Sequence, residues 1–122
     1  MEYLSNYWWL ILIIISIVIL ISRSFKNLKK TNNIKEFIDN NAVIIDVRSE
    51  SEFNSGNLEG SVNVPLKDLM YRVNEFKKDK KYITVCTVGM RAESAKKFFK
   101  KRGYQVVNGG RWSNLKDLRN NT

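Results

Sequence analysis

Residues 82–94 read YITVCTVGMRAES. An apolar, β-forming run from Tyr82 to Cys86 gives way to a turn at Gly89 and then to a helical pattern starting at Arg91. Such a hand-over is the repeating unit of an α/β fold, so the question is whether the rest of the chain repeats it. It does: AVIIDV at 42–47, SVNVP at 61–65 and YQVVN at 104–108 have the same character. These runs are continuously apolar rather than alternating, as expected for strands buried on both faces of a parallel sheet. Helical patterns lie between them. Leu66 to Phe76 carries Leu66, Leu69, Met70 and Val73 at helix spacing, and Arg91 to Arg102 carries Ala92, Ala95, Phe98 and Phe99 before Gly103 caps it. Ahead of the first strand, Thr31 or Asn32 can cap a short helix bearing Ile34, Phe37 and Ile38, which Asn40 and Asn41 end. The expected fold class is α/β, an open parallel sheet flanked by helices over residues 32–122. In such sheets ligands bind beyond the carboxyl ends of the strands, which is where Cys86 falls.

Composition restricts the chemistry available there. The chain has 122 residues, one cysteine and no histidine. An intramolecular disulfide is excluded, and so are Cys-His and Ser-His catalytic pairs. One thiol with scattered carboxylates is no zinc ligand set, so no metal site is expected. Any reactivity of Cys86 must come from something other than imidazole.

The N-terminal segment is of a different kind. YLSNYWWLILIIISIVILIS, residues 3–22, has no charged residue, and about 20 apolar residues suffice to cross the ~30 Å hydrocarbon core as a helix. The segment lacks the basic leader and small-residue cleavage site of a secretory signal, and no cysteine follows it for lipidation. Tyr3, Tyr7, Trp8 and Trp9 form an aromatic belt at one interface. Arg23, Lys26, Lys29 and Lys30 flank the other end, with only Glu2 on the N-terminal side. By the positive-inside rule the N-terminus lies outside and the C-terminal domain is cytoplasmic. The expected organisation is an N-terminal segment with a transmembrane helix (1–22), a basic juxtamembrane linker (23–31) and one α/β domain (32–122). The formal charge of +9 fits basic residues resting on anionic lipid headgroups, whereas no groove-reading or basic-aromatic motif points to nucleic acid.

Two readings of Cys86 follow from the residues themselves. In one it is an inert buried thiol at a strand end. In the other, the free amides of Thr87, Val88, Gly89 and Met90, with the N-terminus of the 91–102 helix, form an anion cradle that favours the thiolate, and Arg91 adds a positive charge at its rim. Asp46, Arg48 and Glu52 sit at the end of another strand and are read as supporting residues: Arg48 paired with Glu52, and Ser49 with Glu52 as a helix cap. Lys96, Lys97, Lys100 and Lys101 read as a solvated helix face.

Four segments carry a family resemblance: IIDVRSESEF at 44–53, GNLEGSVNVP at 56–65, CTVGMR at 86–91 and YQVVNGG at 104–110. Together they resemble the single-domain rhodaneses, a sulfurtransferase family, over residues 32 to about 115. The resemblance implies a rhodanese-like fold and a Cys86 nucleophile that carries a persulfide. The amides of Thr87, Val88, Gly89, Met90 and Arg91 would cradle it, and Arg91 would hold an anionic donor. It also implies a small sulfur donor (thiosulfate or a persulfide), a thiol or cyanide acceptor or a protein persulfide partner, and no cofactor. The sequence departs from the family at Asn57, where a histidine is usual, and at Trp112, which sits nearer the glycine pair than expected. Thr87 and Val88 are uncharged where members efficient with thiosulfate often carry basic residues, which favours a persulfide or protein donor. Related phosphatases and arsenate reductases on the same fold place one more residue between cysteine and arginine, a cradle larger than the 86–91 loop. A membrane-anchored binding module without catalysis is the other alternative.

Overall fold

A computed structural model of the chain describes residues 5–120. It divides into two compact units, one through Asn32 and one from Asn33.

The first helix, α1 (Trp8–Asp39), is long and apolar enough to cross a membrane, and its apolar residues from Trp8 to Ile21 are exposed all round. Tyr7, Trp8 and Trp9 are exposed at its start, and Tyr3 lies outside the described residues. The expected break and cap at Thr31 or Asn32 are absent. No Pro or Gly interrupts residues 23–33, and the Thr31 hydroxyl donates to the Asn27 carbonyl at 3.0 Å, one turn back, instead of capping a new helix. The helix ends where the asparagine pair predicts. Asn41 takes a left-handed φ of 58°, with Asn41 N donating to Ile38 O and Ala42 N to Phe37 O, the paired bonds of a Schellman cap.

From Asn33 onward the chain is an α/β domain. Its strands are β1 (Val43–Asp46), β2 (Val62–Asn63), β3 (Lys81–Cys86) and β4 (Gln105–Arg111), all parallel, in the order β2-β1-β3-β4. The helices are α2 (Glu50–Ser55), α3 (Leu69–Arg72), α4 (Met90–Lys101) and α5 (Trp112–Asn120). Side chains alternate across the sheet and fill two cores. One contains Ile45, Val64, Tyr82, Val106, Ala92, Ala95 and Phe99, under α3 and α4. The other contains Ile44, Ile83 and Val85, covered by Ile34, Phe37 and Ile38 from the end of α1 and by Leu115 from α5.

The helix expected over 66–76 is realised as three pieces: 3-10 turns at Leu66–Asp68 and Val73–Glu75 on either side of α3. Tightened turns leave carbonyls to be satisfied elsewhere, and the Tyr104 hydroxyl reaches Val73 O at 3.0 Å and Phe76 O at 2.8 Å. Leu69 and Val73 are buried as the spacing predicts, but Met70 is exposed, because the 3-10 segments rotate it off the apolar stripe.

The strand order creates one feature that positions the site. From β1 the chain moves through α2 to β2 on one side, and from β3 through α4 to β4 on the other. A crevice therefore opens beyond the carboxyl ends of β1 and β3, the switch point at which open α/β sheets bind ligands.

Candidate active site

Cys86 is the last residue of β3 and is completely buried. Its Sγ accepts the backbone N–H of Gly89 at 2.9 Å. That donor is aimed by a left-handed backbone: Gly89 has φ 94°, and a Cβ there would lie 3.3 Å from Gly110 Cα. Among the described residues Gly89 N is the one backbone donor bonded to the sulfur. Val88 and Met90 turn their side chains outward and form an exposed apolar rim to the loop.

The loop is held from below by a residue that sequence reasoning passed over. Asn108, buried near the end of β4, donates from Nδ2 to Gly89 O at 3.0 Å and to Glu93 Oε2 at 2.9 Å, and accepts Gly110 N on Oδ1 at 2.8 Å. Gly109 is skipped in the β3–β4 pairing, so that Thr84 faces Asn108 and Val85 faces Gly110. The bulge turns the strand end toward the loop. The one signal in the sequence is the NGG triplet itself, which marks the end of a strand but does not show a support for Gly89.

The four charged residues pair differently from the expectation. Arg48 does not form an ion pair with the Glu52 carboxylate. Its guanidinium grips the buried Asp46 carboxylate, Nε at 3.0 Å from each oxygen and Nη2 at 2.8 Å, and also donates to Gly56 O and Glu52 O. The other face of the guanidinium lies 4.7 Å from the Trp112 ring centroid, which packs beside Gly56. Trp112, the first residue of α5, thus serves as the lid of a buried ion pair from its shifted position. Asn63 completes this layer, donating to Asp46 O and Arg48 O at 3.0 Å and so tying β2 to the loop after β1. With every charge partnered, Asp46 and Arg48 hold the crevice wall together and present no free group to it.

Glu52 pairs instead with Arg91. The two side chains meet in a bidentate ion pair at 2.8 and 2.9 Å, each about four-tenths exposed, and the Thr87 hydroxyl donates to Glu52 Oε2 at 3.2 Å. Arg91 Nη2 also reaches Thr87 Oγ1 at 3.3 Å. The expected capping box forms as well, with Glu52 N on Ser49 Oγ and Ser49 N on Glu52 Oε1. Arg91 above all, and then Ser49, hold the Glu52 carboxyl well below the usual carboxylate range, and Glu52 in turn raises Arg91. Glu93 is lowered too, by the Asn108 amide and then by Lys96.

Beside Arg91 opens a cleft of about 320 Å³, lined by Val47, Ser49, Glu50, Pro65, Leu66, Lys67 and Asp68 as well as Arg91. Lys96 is spent on Glu93 at 3.0 Å. The arrangement is a buried thiol with an oriented amide on its sulfur, a fixed loop, and an ion pair across the mouth of the crevice.

Comparisons with known proteins bear on this arrangement. The rhodanese-like domain family model matches residues 26–112. The chain is similar to the putative sulfurtransferase YtwF of Bacillus subtilis, 31% identical over 70 residues, covering 57% of this chain and 68% of that protein. It is similar to the putative sulfur carrier protein YrkF of the same organism, 32% identical over 69 residues, covering 57% of this chain but only 37% of that one. Among solved structures, a rhodanese-related protein from Thermoplasma volcanium aligns with a TM-score of 0.61 at 28% identity, covering 71% of this chain and 88% of that one.

Proposed function

Because the chain belongs to the family of rhodanese-like domains, we propose that it is a membrane-anchored sulfurtransferase whose Cys86 carries the transferred sulfur. The observation that supports this most directly is the Gly89 amide on Cys86 Sγ, held there by a left-handed glycine and by Asn108. An N–H directed at sulfur stabilises negative charge on it, and a persulfide formed there extends that charge by one atom.

The reaction is a double displacement. The Cys86 thiolate attacks the sulfane sulfur of a donor; a new S–S bond forms, the donor's own bond to that sulfur breaks, and the electron pair leaves with sulfite or a thiolate. An acceptor, cyanide or a thiolate, then attacks the outer sulfur; the acceptor–sulfur bond forms, the S–S bond to Cys86 breaks, and that bond's electron pair returns to Cys86 as thiolate. Two electrons move with each bond, so no external oxidant or reductant is needed. Cys86 has no exposed surface, so the 87–89 loop must move for a donor to reach it. The domain is cytoplasmic in this reading, and α1 is the anchor.

Full-length protein in detergent micelles, treated with thiosulfate or cysteine persulfide, should gain the mass of one sulfur on Cys86 and form thiocyanate from cyanide. Cys86→Ser should do neither. If wild type and Cys86→Ser are equally inert toward both donors, the burial of Cys86 carries the other reading, a binding module without catalysis.

A further inference from the structure

We infer that Glu52 is a specificity-determining residue: by neutralising Arg91 across the mouth of the crevice, it turns the site away from small dianionic donors such as thiosulfate and toward persulfides of neutral or zwitterionic small thiols. This rests on the sulfur-transfer reading and specifies its donor.

The argument begins with topology. Glu52 comes from α2, which leaves the β1 side of the switch point, and Arg91 from the first turn of α4, which leaves the β3 side. Their bidentate contact therefore bridges the segments that follow β1 and β3, next to the loop that starts at Cys86, and Arg91 also lines the adjoining cleft. A donor anion is drawn by an uncompensated cation offering a bidentate edge, and the outer edge of Arg91 is taken, Nη1 on Glu52 and Nη2 on Glu52 and Thr87. Glu52 is held ionised by the same contacts, so the pair presents no net charge at neutral pH. A dianion approaching it is repelled by Glu52 about as strongly as it is drawn by Arg91.

The surroundings do not restore a positive field. Thr87 and Val88 are uncharged. In the adjoining cleft, with Arg91 already paired to Glu52, Glu50 and Asp68 outweigh Lys67 over an apolar floor of Val47, Pro65 and Leu66. A cleft with both signs of charge and no positive excess over an apolar floor disfavours a dianion and suits an amino-acid-type small thiol carrying both an ammonium and a carboxylate. With such a persulfide the outer sulfur passes to Cys86, and the thiolate that leaves keeps the electron pair of the broken S–S bond.

Glu52 also fastens Thr87, so its removal loosens the loop as well as freeing Arg91. A test must separate access from charge, and two alkylating reagents of near-equal size do so. Cys86 is the single cysteine, so full-length protein can be titrated with anionic iodoacetate and neutral iodoacetamide. A loosened loop accelerates both, whereas a freed Arg91 favours the anion alone. Glu52→Gln keeps a residue able to form the capping box. It should raise the iodoacetate-to-iodoacetamide rate ratio about tenfold, at the low end of what charge focusing in a cleft achieves. Adding Arg91→Gln should return the ratio to the wild-type value. The ratio of kcat/KM for thiosulfate to that for cysteine persulfide should rise in parallel, mainly through a lower KM for thiosulfate. If Glu52→Gln speeds both reagents alike and leaves both ratios unmoved, Glu52 is only a latch on the loop and the inference is overturned. If the alkylation ratio rises while neither wild type nor variant takes sulfur from either donor, the role of Glu52 in excluding anions stands and the sulfur-transfer reading falls.

Discussion

At the scale of single residues, Asn108 holds three partners with one carboxamide: a carbonyl and a carboxylate on its donor nitrogen and a backbone N–H on its oxygen. Asn108→Leu keeps the branched heavy-atom skeleton but strands these groups in a buried place, a loss of about 1–3 kcal/mol. In a domain of this size that lowers the melting temperature by roughly 4–8 °C per kcal/mol. It should also free Gly89 and so change the alkylation rate of Cys86; a variant with unchanged melting and unchanged alkylation would show that Asn108 does not hold the loop. Gly109 is constrained by space rather than by angle. A Cβ there would lie 2.7 Å from Ile83 Cγ2 and 3.0 Å from Val85 Cγ1, so Gly109→Ala must push β4 off β3. The expected cost is about 1–3 kcal/mol, the usual penalty of overpacking, read as a lower denaturation midpoint with the slope retained. Neither role was legible beforehand, because a sequence shows that NGG follows a strand but not that the asparagine reaches back under a loop nineteen positions earlier.

Among elements, what was legible and what was not divides by the range of the forces involved. The strands were legible because burial on both faces demands continuous apolar runs, and β1, β3 and β4 fall on AVIIDV, YITVC and YQVVN. The end of α4 was legible for a local reason: the bonds from Gly103 N to Lys100 O and from Tyr104 N to Phe99 O form within a few residues. The breakup of 66–76 was not, since it depends on Tyr104, some thirty positions away. The same limit hid the exchange of ion-pair partners: Arg48 and Glu52 are four apart and invite pairing, yet Asp46 takes Arg48 and Arg91 takes Glu52. That exchange has a pH consequence. The Glu52 carboxyl is lowered from its ordinary 4.5 in the folded state, with Arg91 the main cause. A depressed carboxyl stabilises above the unfolded value and loses that contribution as pH falls through the folded value, which lies lower still. The difference in melting temperature between wild type and Glu52→Gln should therefore be constant from pH 8 to about 5.5 and shrink only below 4.5. A difference that collapses around pH 6 would show that the Glu52–Arg91 pair does not set it.

For the whole molecule, the decisive feature is a helix long and apolar enough to cross a membrane. From Trp8 to Ile21 the apolar side chains of α1 are exposed, an area far beyond the few hundred Å² that a water-soluble surface tolerates. Hydrocarbon is the environment in which such a helix, apolar on every face, is stable. The protein should therefore sediment with membranes, resist extraction by high salt and alkaline carbonate, and come into solution with detergent. Orientation is a separate matter, decided by charge. Arg23, Lys26, Lys29 and Lys30 lie within eight residues of the apolar run, and basic residues so close to a helix end are retained on the cytoplasmic side during insertion. Protease added outside intact cells should leave residues 33–122 uncut, and permeabilisation should expose them. Replacing the four basic residues with glutamine removes the asymmetry without shortening the helix. A fraction of the chains should then insert the other way, seen as a domain fragment lost to external protease while total membrane association is unchanged. Complete protection of that variant would mean that something other than these four charges fixes the orientation, and digestion of the wild-type domain in intact cells would reverse the assignment.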